Sequence, residues 1–67
     1  MTRLEKERVQ RGLTQSQLAL DAGVTTQTVM RIEKGYTRGS KLSLGALAIA
    51  LEIPIEESRD LAAEFMS

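Results

Sequence analysis

Apolar residues along this chain recur at three- and four-residue intervals, and no stretch alternates strictly between apolar and polar positions. That is the period of helices burying one face, and it predicts an all-α fold without strands. Thr2 and Glu5 form a capping-box pattern, and Gly12 stands where a helix end favours positive φ, so a first helix is expected over about 3–11. Thr14 and Gln17 repeat the box ahead of a second helix that stops before Gly23, and Thr25 opens a third that stops before Gly35. After an irregular loop from Gly35 to Lys41, either Ser40 or Ser43 caps a fourth helix reaching about Glu52. Pro54 then breaks the chain and opens a last helix from Ile55 toward Phe65.

The faces of these helices predict what is buried. With about 100° per residue counted from Thr26, Val29 and Ile32 fall near about 300° and about 240°, while Thr26, Gln27, Met30, Arg31 and Lys34 share an arc of roughly 0° to 140°. Leu18, Ala19 and Ala22 make the inner stripe of the second helix, and Leu44, Leu47, Ala48 and Leu51 that of the fourth. With Leu4, Val9, Leu13, Val24, Ile53 and Leu61 they should form one core, leaving Leu20 and Ile49 outside it. The third helix opens with four uncharged polar residues, Thr25 to Thr28, and short amides and hydroxyls there suit contact with another polar surface.

Composition narrows the picture to one domain over residues 1–67, with 42% apolar residues and no long uncharged run that could span a membrane. Cysteine and histidine are both absent, which removes disulfides, thiolate ligands and the commonest general base and metal ligand. The remaining Asp, Glu, Lys, Tyr, Ser and Thr show no catalytic pairing, so the expectation is a non-enzyme without catalytic residues, metal, cofactor or small-molecule substrate. Residues 1–11 are charged throughout and unlike a signal peptide, so a cytoplasmic location is expected.

The net charge is zero but unevenly spread. Residues 1–41 carry eight cations against four anions, whereas residues 42–67 hold only Arg59 against Glu52, Glu56, Glu57, Asp60 and Glu64. A basic front half points to a polyanionic partner.

Spacing then carries a resemblance. With Gln15 as first place, Leu18 is fourth, Ala19 fifth, Gly23 ninth, Val29 fifteenth and Ile32 eighteenth, a pattern similar to the helix-turn-helix of the Cro/C1-type repressor family. Small Ala19 allows close helix crossing, Gly23 takes the left-handed turn, and Val29 and Ile32 lock the second motif helix onto the first. R-x-x-x-G-L-T-Q from Arg8, R-I-E-K-G from Arg31 and L-A-I-A-L-E-I from Leu47 also follow the family pattern, which extends over roughly 4–55 with the motif at about 14–35.

The resemblance implies a five-helix, lambda-repressor-like domain that lays its third helix in the major groove of an operator in double-stranded DNA. Thr26, Gln27 and Arg31 would meet base edges: glutamine can pair with adenine, arginine can fork onto guanine, and a threonine methyl, of Thr26 or Thr25, can lie against thymine. Gln15 resembles the family's phosphate-binding glutamine at a helix start, and Thr25, Thr28, Lys34, Tyr36, Arg38 and Lys41 are the further phosphate candidates. Arg8 and Glu33 resemble a charge pair tying the first helix to the recognition helix. The family also implies a homodimer, with Phe65 or Met66 in a C-terminal contact, acting as a transcriptional repressor.

Two departures stand beside the likeness. Residues 36–42 run about one residue longer than in close relatives, and after Pro54 the family often places a bulky apolar residue where Glu57 and Ser58 stand here. The chain corresponds to a Cro-like regulator or to the DNA-binding part of a larger repressor. The competing expectation is a protein-binding module, an antitoxin or adaptor on the same fold, served by the acidic second half and by Leu20 and Ile49.

Overall fold

The computed structural model describes residues 1–64. Four α-helices, α1 (Arg3–Gln10), α2 (Gln15–Ala22), α3 (Thr26–Glu33) and α4 (Lys41–Ala50), lead into a 3₁₀ helix, η1 (Ile55–Ala62). Among the described residues there is no strand, and the one extended pairing is an isolated bridge between Thr2 and Glu64.

Side-chain caps start the α-helices. Thr2, Thr14, Thr25 and Ser40 each accept the backbone N–H three residues on, so Ser40 and not Ser43 opens α4. The reciprocal capping box closes at Thr14, whose N–H donates to Gln17 Oε1 at 2.8 Å. At Thr2 the expected box is only half made. Glu5 N–H reaches the Thr2 hydroxyl at 3.3 Å, but the Glu5 carboxylate does not return the bond. Tertiary pairing holds this end instead, with Arg3 N–H donating to the Ala63 carbonyl at 2.9 Å beside the Thr2–Glu64 bridge.

All four α-helices end in the same pair of backbone bonds, in which a left-handed residue and its successor return to the last turn. Gly12, Gly23 and Gly35 fill that left-handed place in α1, α2 and α3. In α4 it is taken by Glu52, at φ 59°.

Leu4, Leu18, Ala19, Val29, Ile32, Leu44, Leu47, Ala48, Leu51, Ile53 and Leu61 form the buried core, with Leu13, Ala22 and Val24 packed at its margin. α2 packs on α3 and α4, and η1 lies across α4 and α1. Val9 departs from expectation and is 53% exposed. Five residues beyond Leu4, it sits about 140° around the helix, and Arg8 takes the inward place. Leu20 and Ile49 are exposed as the periodicity predicts.

The last helix also differs. It is 3₁₀, not α, and stops at Ala62 instead of running toward Phe65. Three residues per turn align every third side chain, and the sequence here is arranged in threes: Ile55, Ser58 and Leu61 make one row, Glu57 and Asp60 another. The first row ends in fully buried Leu61, and the second faces Arg3 of α1.

Candidate nucleic-acid interface

α3 is fixed at both ends before its front is considered. The Thr25 hydroxyl accepts Thr28 N–H at 3.1 Å, and Tyr36 N–H returns to the Arg31 carbonyl at 2.9 Å. Val29, Ile32 and Glu33 are buried against the body of the domain. This orientation leaves Thr26, Gln27, Arg31 and Lys34 exposed on one arc, with Met30 half-buried among them. Ser16, in the first turn of α2, extends that arc; the Thr26 hydroxyl stands 3.5 Å from its own. Helical spacing within α3 could not reveal Ser16, because it arrives from another helix.

Gln15, Arg8 and Glu33 form a continuous link behind the front. Arg8 Nε lies 2.6 Å from Glu33 Oε2 and its Nη2 3.1 Å from Oε1, a two-pronged pair, while Nη1 donates to the Leu13 carbonyl at 2.8 Å. Glu33 Oε1 also accepts from Gln15 Nε2 at 3.0 Å. The charge pair expected between helices is therefore present, and the carboxylate beside Arg8 raises that guanidinium's pKa further. A carboxamide nitrogen carries two donors, so Gln15 retains one after binding Glu33. None of the described buried side-chain nitrogen or oxygen atoms lacks a partner.

The other candidates fall into two groups. Thr25 and Thr28 lie at the start of α3 but are turned toward each other, their hydroxyls 2.8 Å apart. Tyr36, Arg38 and Lys41 are exposed along the loop into α4. Gly39 anchors this loop: at φ +79°, a Cβ on it would come within 2.8 Å of Ile32 Cδ1. Arg38 and Lys41 thus flank a point pressed onto the core next to α3.

Ion pairing divides the cations of the basic half. Arg3 pairs with Glu7, Glu57 and Asp60, Arg8 with Glu33, and Arg11 with Glu7. Among the described residues Arg31, Lys34, Arg38 and Lys41 make no such pair. Exposed, unpaired positive charge is thus concentrated on α3 and the α3–α4 loop, beside the N-terminus of α4, whose N–H groups also favour anions.

Phe65 and Met66, expected in a dimer contact, lie outside the described residues. Among the described residues no helix is long and apolar enough to cross a membrane, and no cluster of acidic side chains could hold a metal ion. A family model described as helix-turn-helix matches residues 4–58. No curated protein and no solved structure matches the chain.

Proposed function

The chain belongs to the helix-turn-helix family, of the Cro/C1 type of DNA-binding regulators, and we propose that it is a sequence-specific repressor that reads the major groove with α3. The observation carrying this reading is the uncharged polar start of α3 continuing into four exposed, unpaired cations. Thr26, Gln27 and Arg31 read base edges. Gln15, through its second amide hydrogen, and Lys34, Tyr36, Arg38 and Lys41 hold phosphates, with Thr25 and Thr28 at the same helix start. Repression follows where the operator overlaps a promoter and the bound protein excludes the polymerase. The chain acts as a single domain in the cytoplasm, where its DNA lies.

The working unit is a symmetric homodimer. The largest Cα extent of one copy is 27 Å, less than the ~34 Å of one DNA turn, so two copies are needed to read successive major grooves. Half-sites then stand one turn apart and the operator is palindromic.

The test selects a preferred duplex from a randomised library and measures binding of variants to it, to single-base changes and to random DNA. Gln27→Ala and Arg31→Ala should each cost ~1 to 3 kcal/mol on the preferred duplex, relax choice at one base pair, and cost less on random DNA. Lys41→Ala should weaken all duplexes alike. If Gln27→Ala and Arg31→Ala also weaken every duplex equally, α3 is not the reading helix. The second reading, a protein-binding module, draws on the apolar residues exposed on α4, and failure to bind any duplex even at low salt would select it.

A further inference from the structure

Lys41, Gly45 and Ile49 follow one another at four-residue steps along α4, so they form one row that rises about 12 Å along the helix axis. η1 packs beside this row and leaves a groove of about 1070 Å³, at the upper end of the size usual for small-molecule sites. Small residues make its floor. Gly45 presents no side chain, Ile55 Cδ1 stands 3.4 Å from where its Cβ would be, and Ala46 and Ala62 line the groove as well. Leu42, Ile49 and Ile55 border it while 87%, 71% and 54% exposed, so an apolar ligand lying there would remove their surface from water.

Charge distinguishes one end of this groove. Arg38 and Lys41 line it where α4 begins, exposed and without an ion pair among the described residues. The two carboxylates along it each have a base at hand: Glu64 bonds the Met1 ammonium at 2.6 Å, and Glu56 stands in one 3₁₀ row with Arg59, about 6 Å away. The positive end is therefore the start of α4. A single carboxylate followed by an aliphatic tail matches both parts of the groove, with its head at Arg38 and Lys41 and its tail over Gly45 between Leu42, Ile49 and Ile55.

We propose that the α4–η1 groove is an effector site for an amphipathic carboxylate with an unbranched aliphatic tail, and that its occupation releases DNA. The release rests on the reading above in which Arg38 and Lys41 hold phosphates, since a cation engaged by the carboxylate is withdrawn from the duplex. Ligand and DNA then weaken each other's binding by the same factor.

The test titrates the full chain with sodium decanoate at neutral pH, below the concentration at which decanoate forms micelles, and follows the backbone amides by NMR. Decanoate should shift amides of residues 38–49 and 55–62 saturably. Decanol, butyrate and decyltrimethylammonium, which lack the charge, the tail or the right sign, should each bind about tenfold more weakly or not at all. The double change Arg38→Gln with Lys41→Gln should weaken decanoate about tenfold, and so should Ile49→Asp, an exposed site where the fold is readily checked by circular dichroism. Equal binding of decanol and decanoate, indifference to all three substitutions, or shifts confined to other faces would overturn the site. Groove amides that move with protein concentration and not with decanoate would give the face to a protein and also overturn it. Binding to a random-sequence duplex, measured with decanoate and with butyrate as the salt control, should fall only with decanoate. Decanoate seated in the groove with duplex binding undiminished overturns the release, and with it the phosphate contacts of Arg38 and Lys41. A chain that binds no duplex at all fails the DNA-binding reading, while the decanoate titration still decides the site.

Discussion

Glu52 is the only non-glycine residue with positive φ among the described residues, and it occupies the place that glycine fills at the ends of α1, α2 and α3. Its side chain is exposed and makes no hydrogen bond or ion pair among the described residues. A left-handed conformation costs a residue with a Cβ roughly 1 to 2 kcal/mol, partly offset by the greater freedom glycine has when unfolded. Glu52→Gly should therefore raise stability by about 1 kcal/mol, or about 4 to 8 °C in Tm for a domain of this size. A fall in Tm would show that the side chain contributes more than its backbone strain takes away. Arg8 presents the reverse situation. Its partner Glu33 is 7% exposed, so Arg8→Met leaves a buried carboxylate with only Gln15 and should lower stability by ~3 to 5 kcal/mol. Adding Glu33→Leu should recover most of that loss, because an apolar pair carries no desolvation penalty. Chemical denaturation of the single and double variants decides it, and an unchanged midpoint for Arg8→Met would count against the pair.

Among the elements, α1 is stiffened along its outer side by Glu7, which bonds Arg11 at 2.8 Å and Arg3 at 3.2 Å, one helical turn in either direction. Arg11 also donates to the Leu51 carbonyl at 2.8 Å, tying this row to the end of α4. The Arg11 bond is the largest influence and, with the Arg3 bond and the two positive charges, outweighs the opposing effect of burial to hold the Glu7 carboxyl below its ordinary value of 4.5. A carboxyl depressed in the folded state adds stability above its unfolded value and loses it as pH falls through the folded one. Glu7→Gln should lower stability at neutral pH and flatten the decline below about pH 4.5, and parallel acid limbs for the two proteins would exclude the role. The helices themselves were legible because their signals are local: a hydroxyl at each start, and glycine at three of the four ends. Ser40 against Ser43 could not be decided locally, since both precede the apolar stripe; the docking of Gly39 on Ile32 settles where the chain turns. Val9 departs from the expected core because an apolar residue in a short helix carries no mark of which side faces inward. The 3₁₀ form of η1 escaped for a related reason, as its three-residue repeat gains meaning only once Arg3 and Leu61 supply its partners. In the candidate site, the α3 arc could be read from spacing, whereas the Gln15–Glu33 link and Ser16 arise from two helices crossing.

For the whole molecule, the sequence shows a basic and an acidic half but not which charges remain available. Eight cations in residues 1–41 suggest a large electrostatic contribution to DNA binding. The fold reduces it, because Arg3, Arg8 and Arg11 are engaged by carboxylates within the domain. If Lys34, Arg38 and Lys41 are the cations that meet phosphates, each copy displaces counterions from three, and log K against log salt should fall with a slope of about −2.7 per copy, or about −5 for two copies on one site. Were all eight cations at the DNA, the slope would be about −7 per copy. Random-sequence duplex suffices for this measurement, since phosphate contacts carry no base preference. Lys41→Ala should make the slope shallower by about one for each bound copy, while Arg11→Ala should leave it unchanged and lower Tm instead, because Arg11 holds Glu7 and the Leu51 carbonyl. A slope near −7 per copy would mean that the cations of α1 meet the DNA as well, and one that responds to Arg11→Ala and not to Lys41→Ala would place the DNA on α1 instead of along α3 and the loop into α4.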